Sequence, residues 1–221
     1  MKKHKKHTNL ERRSNDTFAT NEIVLLAYYI AAINIEAVYH SLVGKQDETG
    51  DLTHYEPFNG ICLTDTFQLY EKDDLIQERL SINSERRIRQ KQLKNIRVIL
   101  GNPPYSGGQK SENDNNSNIE YPILDSSIAN TYVKNSQRVG GKRSVYDSYI
   151  RAMRWATQRI GDQGIVGFVT GSGFIDKPAM DGIRKQLEED FTSLYVLNLR
   201  DDIRKNILSK GKAGEGENIF S

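Results

Sequence analysis

The stretch LGNPPYSG, residues Leu100 to Gly107, closes an apolar run that starts at Val98. Two prolines behind an asparagine make a stiffer exit from a strand than a turn requires. Each fixes its own φ and removes an N–H donor. The side-chain carbonyl of Asn102 and the main-chain carbonyl of Pro103 then form two acceptors in a fixed relation. Such a pair can grip a planar amino group and keep electron density on its nitrogen during attack on a methyl donor. Pro104 continues the stiff segment, and Tyr105 offers a ring face for stacking. The plainer alternative is a rigid bend with a surface tyrosine.

The surrounding pattern favours a site. Residues 97–100, 60–64, 164–170 and 194–199 read as short apolar strands. Between them lie predicted helices over 22–42, within 73–93, over 146–160 and over 178–191, the last with proline in its first turn. The 22–42 segment is apolar nearly all round and is expected to be buried in a larger structure. In the 146–160 helix, Ile150, Met153, Thr157 and Ile160 form one stripe, and Trp155 and Tyr149 are expected in the core. Alternation of strand and helix predicts an α/β fold with a mainly parallel sheet. Ligands of such sheets bind beyond the carboxyl ends of the strands. Asp65, Asn102 and Gly171 each fall just past a predicted strand end, and residues 106–118 read as a long polar loop.

Composition narrows the function classes. The 221 residues carry a net charge of only +2, with 37% hydrophobic and 27% charged, as expected of a globular protein. Basic residues cluster in 1–13 and again at Arg86, Arg87, Arg89, Lys91 and Lys94. Each run reads as a phosphate-attracting patch or as a solvated tail or helix face. Cys62 is the single cysteine, which rules out an internal disulfide or a cysteine-based zinc site. A reducing, cytoplasmic location is expected. No metal site and no membrane partner are expected, since the apolar run 23–33 is too short to span a bilayer. No phosphate-binding loop of an ATP-driven motor is present.

The tetrapeptide Asn102-Pro103-Pro104-Tyr105 resembles the catalytic motif of S-adenosylmethionine-dependent amino-methyltransferases, above all the DNA adenine-N6 methyltransferases. Five segments in order, TNEIVLLAYYIAAINIE, GICLTDTFQLYE, VILGNPPYSGGQKSENDNNSN, YDSYIRAMRWATQRIGDQGIVGFVT and LYVLNLRDDIRKN, resemble the methyltransferase part of large single-chain restriction–modification enzymes, type ISP or type II-like. The resemblance covers residues 20–221 and leaves 1–19 as a basic tail. It implies a Rossmann-like methyltransferase sheet, S-adenosylmethionine as cofactor, and double-stranded DNA with a flipped adenine as partner. It implies that Glu22 receives the cofactor ribose hydroxyls and that Asp65, with Thr66 and Phe67, meets its adenine. The family's first strand and glycine-rich loop have no counterpart before Thr20, and no target-recognition domain follows. The expectation is a partial catalytic domain, truncated at both ends, that works with a complementary chain. Two alternatives remain: an inactive fragment or DNA-binding subunit, and a methyltransferase for protein glutamine.

Overall fold

The computed structural model describes residues 18–43, 57–71, 81–103, 120–138 and 142–198. Four short strands and six helices follow one another along them. In order these are β1 (Thr20–Glu22), α1 (Leu25–Val43), β2 (Ile61–Leu63), α2 (Ser81–Gln92), β3 (Val98–Gly101), α3 (Pro122–Ile128), α4 (Ser148–Ile160), β4 (Ile165–Phe168), the single turn α5 (Gly173–Asp176) and α6 (Asp181–Asp190). Short 3-10 turns lie at Gln68–Tyr70, Lys142–Tyr146 and Pro178–Met180.

The strands form two parallel pairs. Thr20 to Glu22 of β1 lie opposite Ile61 to Leu63 of β2. Val98 to Gly101 of β3 lie opposite Ile165 to Phe168 of β4. The expected α/β class and parallel pairing are thus observed, as two two-stranded sheets among the described residues. Flanking hydrogen bonds, Thr20 N–H to the Gly60 carbonyl (3.0 Å) and Thr64 N–H to the Glu22 carbonyl (2.9 Å), turn the main chain of Thr20 and Glu22 toward β2. Main-chain direction alternates along a parallel strand, so Asn21 turns its N–H and C=O to the opposite edge. By the same reasoning Arg97 and Gly101 face β4, and Val98 and Leu100 face away from it.

Helix α2 closes the outer edge of β2 with a side chain. The Asn83 amide receives the Leu63 N–H on Oδ1 and donates Nδ2 to the Leu63 carbonyl, both at 2.9 Å. It does for one residue what a neighbouring strand would do. The same helix face sends Arg86 to the Tyr28 hydroxyl (2.7 Å) and Asn59 (3.1 Å), and Gln90 to the carbonyls of Thr20 and Gly60. The second basic run is therefore part packing surface: Arg87 is 3% exposed, and burial lowers its pKa. Ile88, the apolar residue beside it, is 54% exposed. Polar groups prevail on the packed face because they satisfy strand-edge carbonyls and amides that an isoleucine would leave unpaired.

The main core is built from α3, α4 and α6. Leu124, Ile128, Tyr132, Ile150, Met180 and Ile183 are all buried in it. Helix α3 starts with Pro122 at its first turn and widens into a π-helical turn over Ala129–Val133. Helix α4 has the expected stripe, with Ile150, Met153 and Ile160 buried. Tyr149 is also buried, and Trp155 packs against this core and against a smaller cluster of Ile99, Ala156 and Ile160. Gly161 ends the helix with φ 69° and ψ −148°, a backbone region only glycine adopts without strain. Helix α6 lies so close to the π turn that Gly182 fits beneath the Tyr132 carbonyl and the Ser136 main chain.

Three sequence expectations change. Helix α1 is present, but its apolar residues are not buried: Leu26 is 70% and Ile33 64% exposed. The predicted strand 164–170 is shorter, and Ile165 is 66% exposed. Residues 194–198 form no strand, and Tyr195 and Leu197 lie almost fully in solvent. A strand needs a ladder partner to satisfy its main chain, and none of the described residues supplies one. Two elements were not predicted: β1, which takes Thr20 to Glu22 out of the expected helix, and α3. The loop 106–118, Pro104, Tyr105, residues 1–17 and residues 199–221 lie outside the described residues.

Candidate functional site

Glu22 ends β1, and Asp65 follows the adjacent end of β2, so the two acidic residues share one carboxyl edge of a parallel sheet. Asn102 and Pro103 follow β3 at the corresponding edge of the other sheet, next to the chain leaving β4 toward Gly171. Asn102 is exposed, and Pro103 is buried.

Glu22 has a local partner. Its Oε1 receives the N–H groups of Ile23 (2.9 Å) and Val24 (3.0 Å), just before α1 begins. Such a carboxylate complements the positive end of the helix. Asp65 is 7% exposed, and its carboxylate is held more firmly. Oδ1 receives the N–H of Phe67 at 2.9 Å and of Gln68 at 3.4 Å, starting the 3-10 turn. Oδ2 receives the hydroxyl of Tyr121 at 2.7 Å. Thr66 lies just before this turn. Phe67 stands edge-on to Tyr121, with ring centroids 5.3 Å apart.

Tyr121 was not singled out from sequence, yet it ties the loop after β2 to α3 and α4. Its ring lies under the Arg151 guanidinium, 5.0 Å from the centroid. Arg151 makes a two-pronged pair with Asp125, Nε to Oδ1 at 2.8 Å and Nη2 to Oδ2 at 2.7 Å. Burial, reinforced by the hydrogen bond to Asp65, pushes the phenol pKa up. A second carboxylate from the same loop assists. Glu71 is 8% exposed and receives the N–H groups of Ile123 (2.8 Å) and Leu124 (3.1 Å). These are orphan donors of the first turn of α3, so a buried charge and a helix end satisfy each other. The loop after β2 therefore grips the start of α3 twice. The sequence signal was available: Tyr121-Pro122 followed by apolar residues at 124, 128 and 132 is a helix start with a buried face.

The carboxylates of Glu22 and Asp65 are hydrogen-bond acceptors, suited to hydroxyl or amino donors. Among the described residues, no group of three or more His, Cys, Asp or Glu side chains could hold a metal ion, and no helix is long and apolar enough to cross a membrane.

No protein-family model and no curated protein matches the chain. Solved structures do. A nuclease-deletion mutant of the type ISP restriction–modification enzyme LlaGI, in complex with a DNA substrate mimic, is 46% identical with a TM-score of 0.70, covering 82% of this chain and 14% of that one. The ATP-dependent type ISP restriction–modification enzyme LlaBIII, bound to DNA, is 45% identical with a TM-score of 0.69, covering 80% of this chain and 12% of that one. DrdV in complex with DNA is 41% identical with a TM-score of 0.68, covering 82% of this chain and 17% of that one. The chain is thus related to restriction–modification enzymes and spans about a seventh of the length of the LlaGI chain.

Proposed function

We propose that this chain is catalytic-domain sequence of an S-adenosylmethionine-dependent DNA adenine-N6 methyltransferase of a restriction–modification system, with a Rossmann-like sheet. The observation that supports it best is the siting of Glu22 and Asp65 at the carboxyl edge of one parallel pair and of Asn102-Pro103 at the carboxyl edge of the other, in a chain 46% identical to part of a type ISP enzyme. Cofactor sites of α/β sheets lie at such ends.

The donor set fits the cofactor. Glu22 is an acceptor for ribose hydroxyls, and Asp65 for the adenine amino group, with Thr66 and Phe67 beside it. S-adenosylmethionine supplies an electrophilic methyl group on a sulfonium. The substrate is an adenine flipped from double-stranded DNA. Asn102 Oδ1 and the Pro103 carbonyl accept the two N6–H bonds; the roles expected of Pro104 and Tyr105, a stiff exit and a stacking face, fall outside the described residues. Held by Asn102 and Pro103, the N6 amino group would present its lone pair to the methyl donor, and the proton released on transfer would pass to water. No covalent enzyme intermediate is needed. Cys62, buried and with its thiol pushed up to about 11 by burial, is not a nucleophile for cytosine chemistry. A chain with this lone buried thiol suits the cytoplasm.

Tritiated methyl transfer from S-adenosylmethionine to DNA tests the reading. Incorporation on adenine that disappears in Asn102→Ala is expected. Incorporation that survives in Asn102→Ala refutes the role of the tetrapeptide.

A second reading has its own support. The outward edges of β1 and β3, the exposed apolar residues of α1 and the exposed Leu194 to Leu197 suit a domain completed by a complementary chain. In that case the isolated chain transfers no methyl group, and activity appears on mixing it with the methyltransferase segments of a related enzyme.

A further inference from the structure

We propose that Tyr121 is the positioning residue of the Asp65 carboxylate and thereby selects a 6-amino over a 6-oxo purine at the cofactor site. The proposal rests on the reading that Asp65 meets the cofactor adenine.

An ionised carboxylate has about four lone-pair positions and no donor. On Asp65, Phe67 and Gln68 take the two of Oδ1, and Tyr121 takes one of Oδ2. Among the described residues one position remains, on Oδ2, in a direction set by the other three bonds. A purine edge placed there must donate a hydrogen. An sp² amino group does so, and a carbonyl oxygen meets it with like partial charge. Loss of the phenol leaves two open positions on Oδ2 and frees the carboxylate to turn, so the direction of the remaining acceptor is no longer fixed.

Tyr121 is itself held on two sides of its ring and buried. Arg151 lies over its ring, Phe67 meets it edge-on, and the phenol is 4% exposed in total residue terms. Arg151 cannot drift, because Asp125 binds it through two hydrogen bonds. The Tyr121 carbonyl receives the N–H of Asp125 at 2.7 Å, which fixes the backbone from which the ring projects. The raised phenol pKa keeps the hydroxyl a donor throughout the pH range of any binding assay. This arrangement exceeds what capping a 3-10 turn requires, since Oδ1 alone makes the cap.

The test is calorimetric binding of S-adenosylhomocysteine and of its 6-oxo (inosyl) counterpart to the full chain and to Tyr121→Phe and Asp65→Asn. Hydrogen exchange of the Phe67 amide is followed in the free proteins. The expected result is that Tyr121→Phe weakens the 6-amino ligand about tenfold, as for loss of order at one charged hydrogen bond. The 6-oxo ligand is unaffected, so discrimination shrinks, and the Phe67 amide becomes less protected without ligand. Equal weakening of both ligands, or of neither, assigns Tyr121 a purely structural role and overturns the proposal. Wild-type protein that binds neither ligand, or Asp65→Asn that discriminates as well as wild type, overturns the reading of Asp65 itself. Where Tyr121→Phe does not fold, Arg151→Lys keeps the hydroxyl and removes the planar group above its ring. A smaller loss of discrimination is then expected, and unchanged discrimination overturns the proposal.

Discussion

Replacing Gly182 with alanine sets helix propensity against packing. Gly182 is the second residue of α6. In an isolated helix, alanine would stabilise by up to about 1 kcal/mol. Here an added Cβ would overlap the Tyr132 carbonyl oxygen and stand 2.7 Å from Ser136 N and 3.0 Å from Ser136 Cα. All three are main-chain atoms, so no rotamer change relieves them. Relief requires α6 to withdraw from the π turn. That withdrawal strains the bonds from Asp181 to the Ser136 hydroxyl (2.6 Å) and Gln137 N–H (3.0 Å), and the Asn135–Gln186 bond (2.7 Å). Overpacking alone costs about 1–3 kcal/mol, and the strained bonds add about 1 kcal/mol each where they break. Gly182→Ala is therefore expected to lose about 3 kcal/mol net, read as a lowered urea midpoint at unchanged slope by far-UV circular dichroism. Gly161→Ala is the comparator. An added Cβ there meets nothing within 4 Å, and the penalty of about 1–3 kcal/mol comes from backbone conformation alone. A Gly182→Ala midpoint equal to or above wild type would refute the close approach of α6 to the π turn.

Three further outcomes follow from particular contacts. Asn83→Ala leaves the Leu63 amide and carbonyl without their partner and is expected to cost about 1–2 kcal/mol, measured by the same denaturation; no change would mean that water replaces the amide at no cost. Cys62 is fully buried with its thiol raised to about 11, so Ellman's reagent at pH 8 is expected to label it only as fast as the protein unfolds, and rapid native labelling contradicts that burial. The pKa of Asp181 is lowered, first by the Ser136 hydroxyl and then by the Gln137 N–H. A depressed folded-state pKa contributes stability above the unfolded value, about 3.9, and loses it as pH falls through the folded value. The stability difference between wild type and Ser136→Ala is thus expected to be constant above about pH 5 and to shrink toward pH 2; a difference that grows on acidification reverses the sign and rejects the assignment.

What was legible in the sequence was whatever rests on pattern. The run Val98 to Leu100 before Asn102, the stripe of α4 and the proline before α6 each gave their element its type and place. Parallel pairing followed from alternation. Contacts between segments distant in the chain were not legible. Nothing in SERRIRQ marks its arginines and glutamine as the packed side of α2, because that role depends on main-chain groups of Gly60 and Ile61. Thr20 to Glu22 is too short for a periodic signal, so β1 was absorbed into the following helix. Burial of α1 was expected from composition, which reports what a helix could cover and not what lies beside it. In the candidate site, Asp65 was singled out by its position after a predicted strand, and Glu22 by the resemblance alone. Tyr121 lies 56 residues from its partner and gave no local sign of the bond.

The amide of Asn83 has a consequence for self-association. With the outer side of β2 occupied at Leu63, the β1–β2 sheet can, among the described residues, lengthen only at Asn21. Copies of the chain cannot add to one another front to back through this sheet, since the receiving side of each is already taken. The one self-pairing it permits sets β1 against β1 of a second copy about a two-fold axis. That contact uses both available sides at once, so it closes as a dimer and cannot propagate through this sheet.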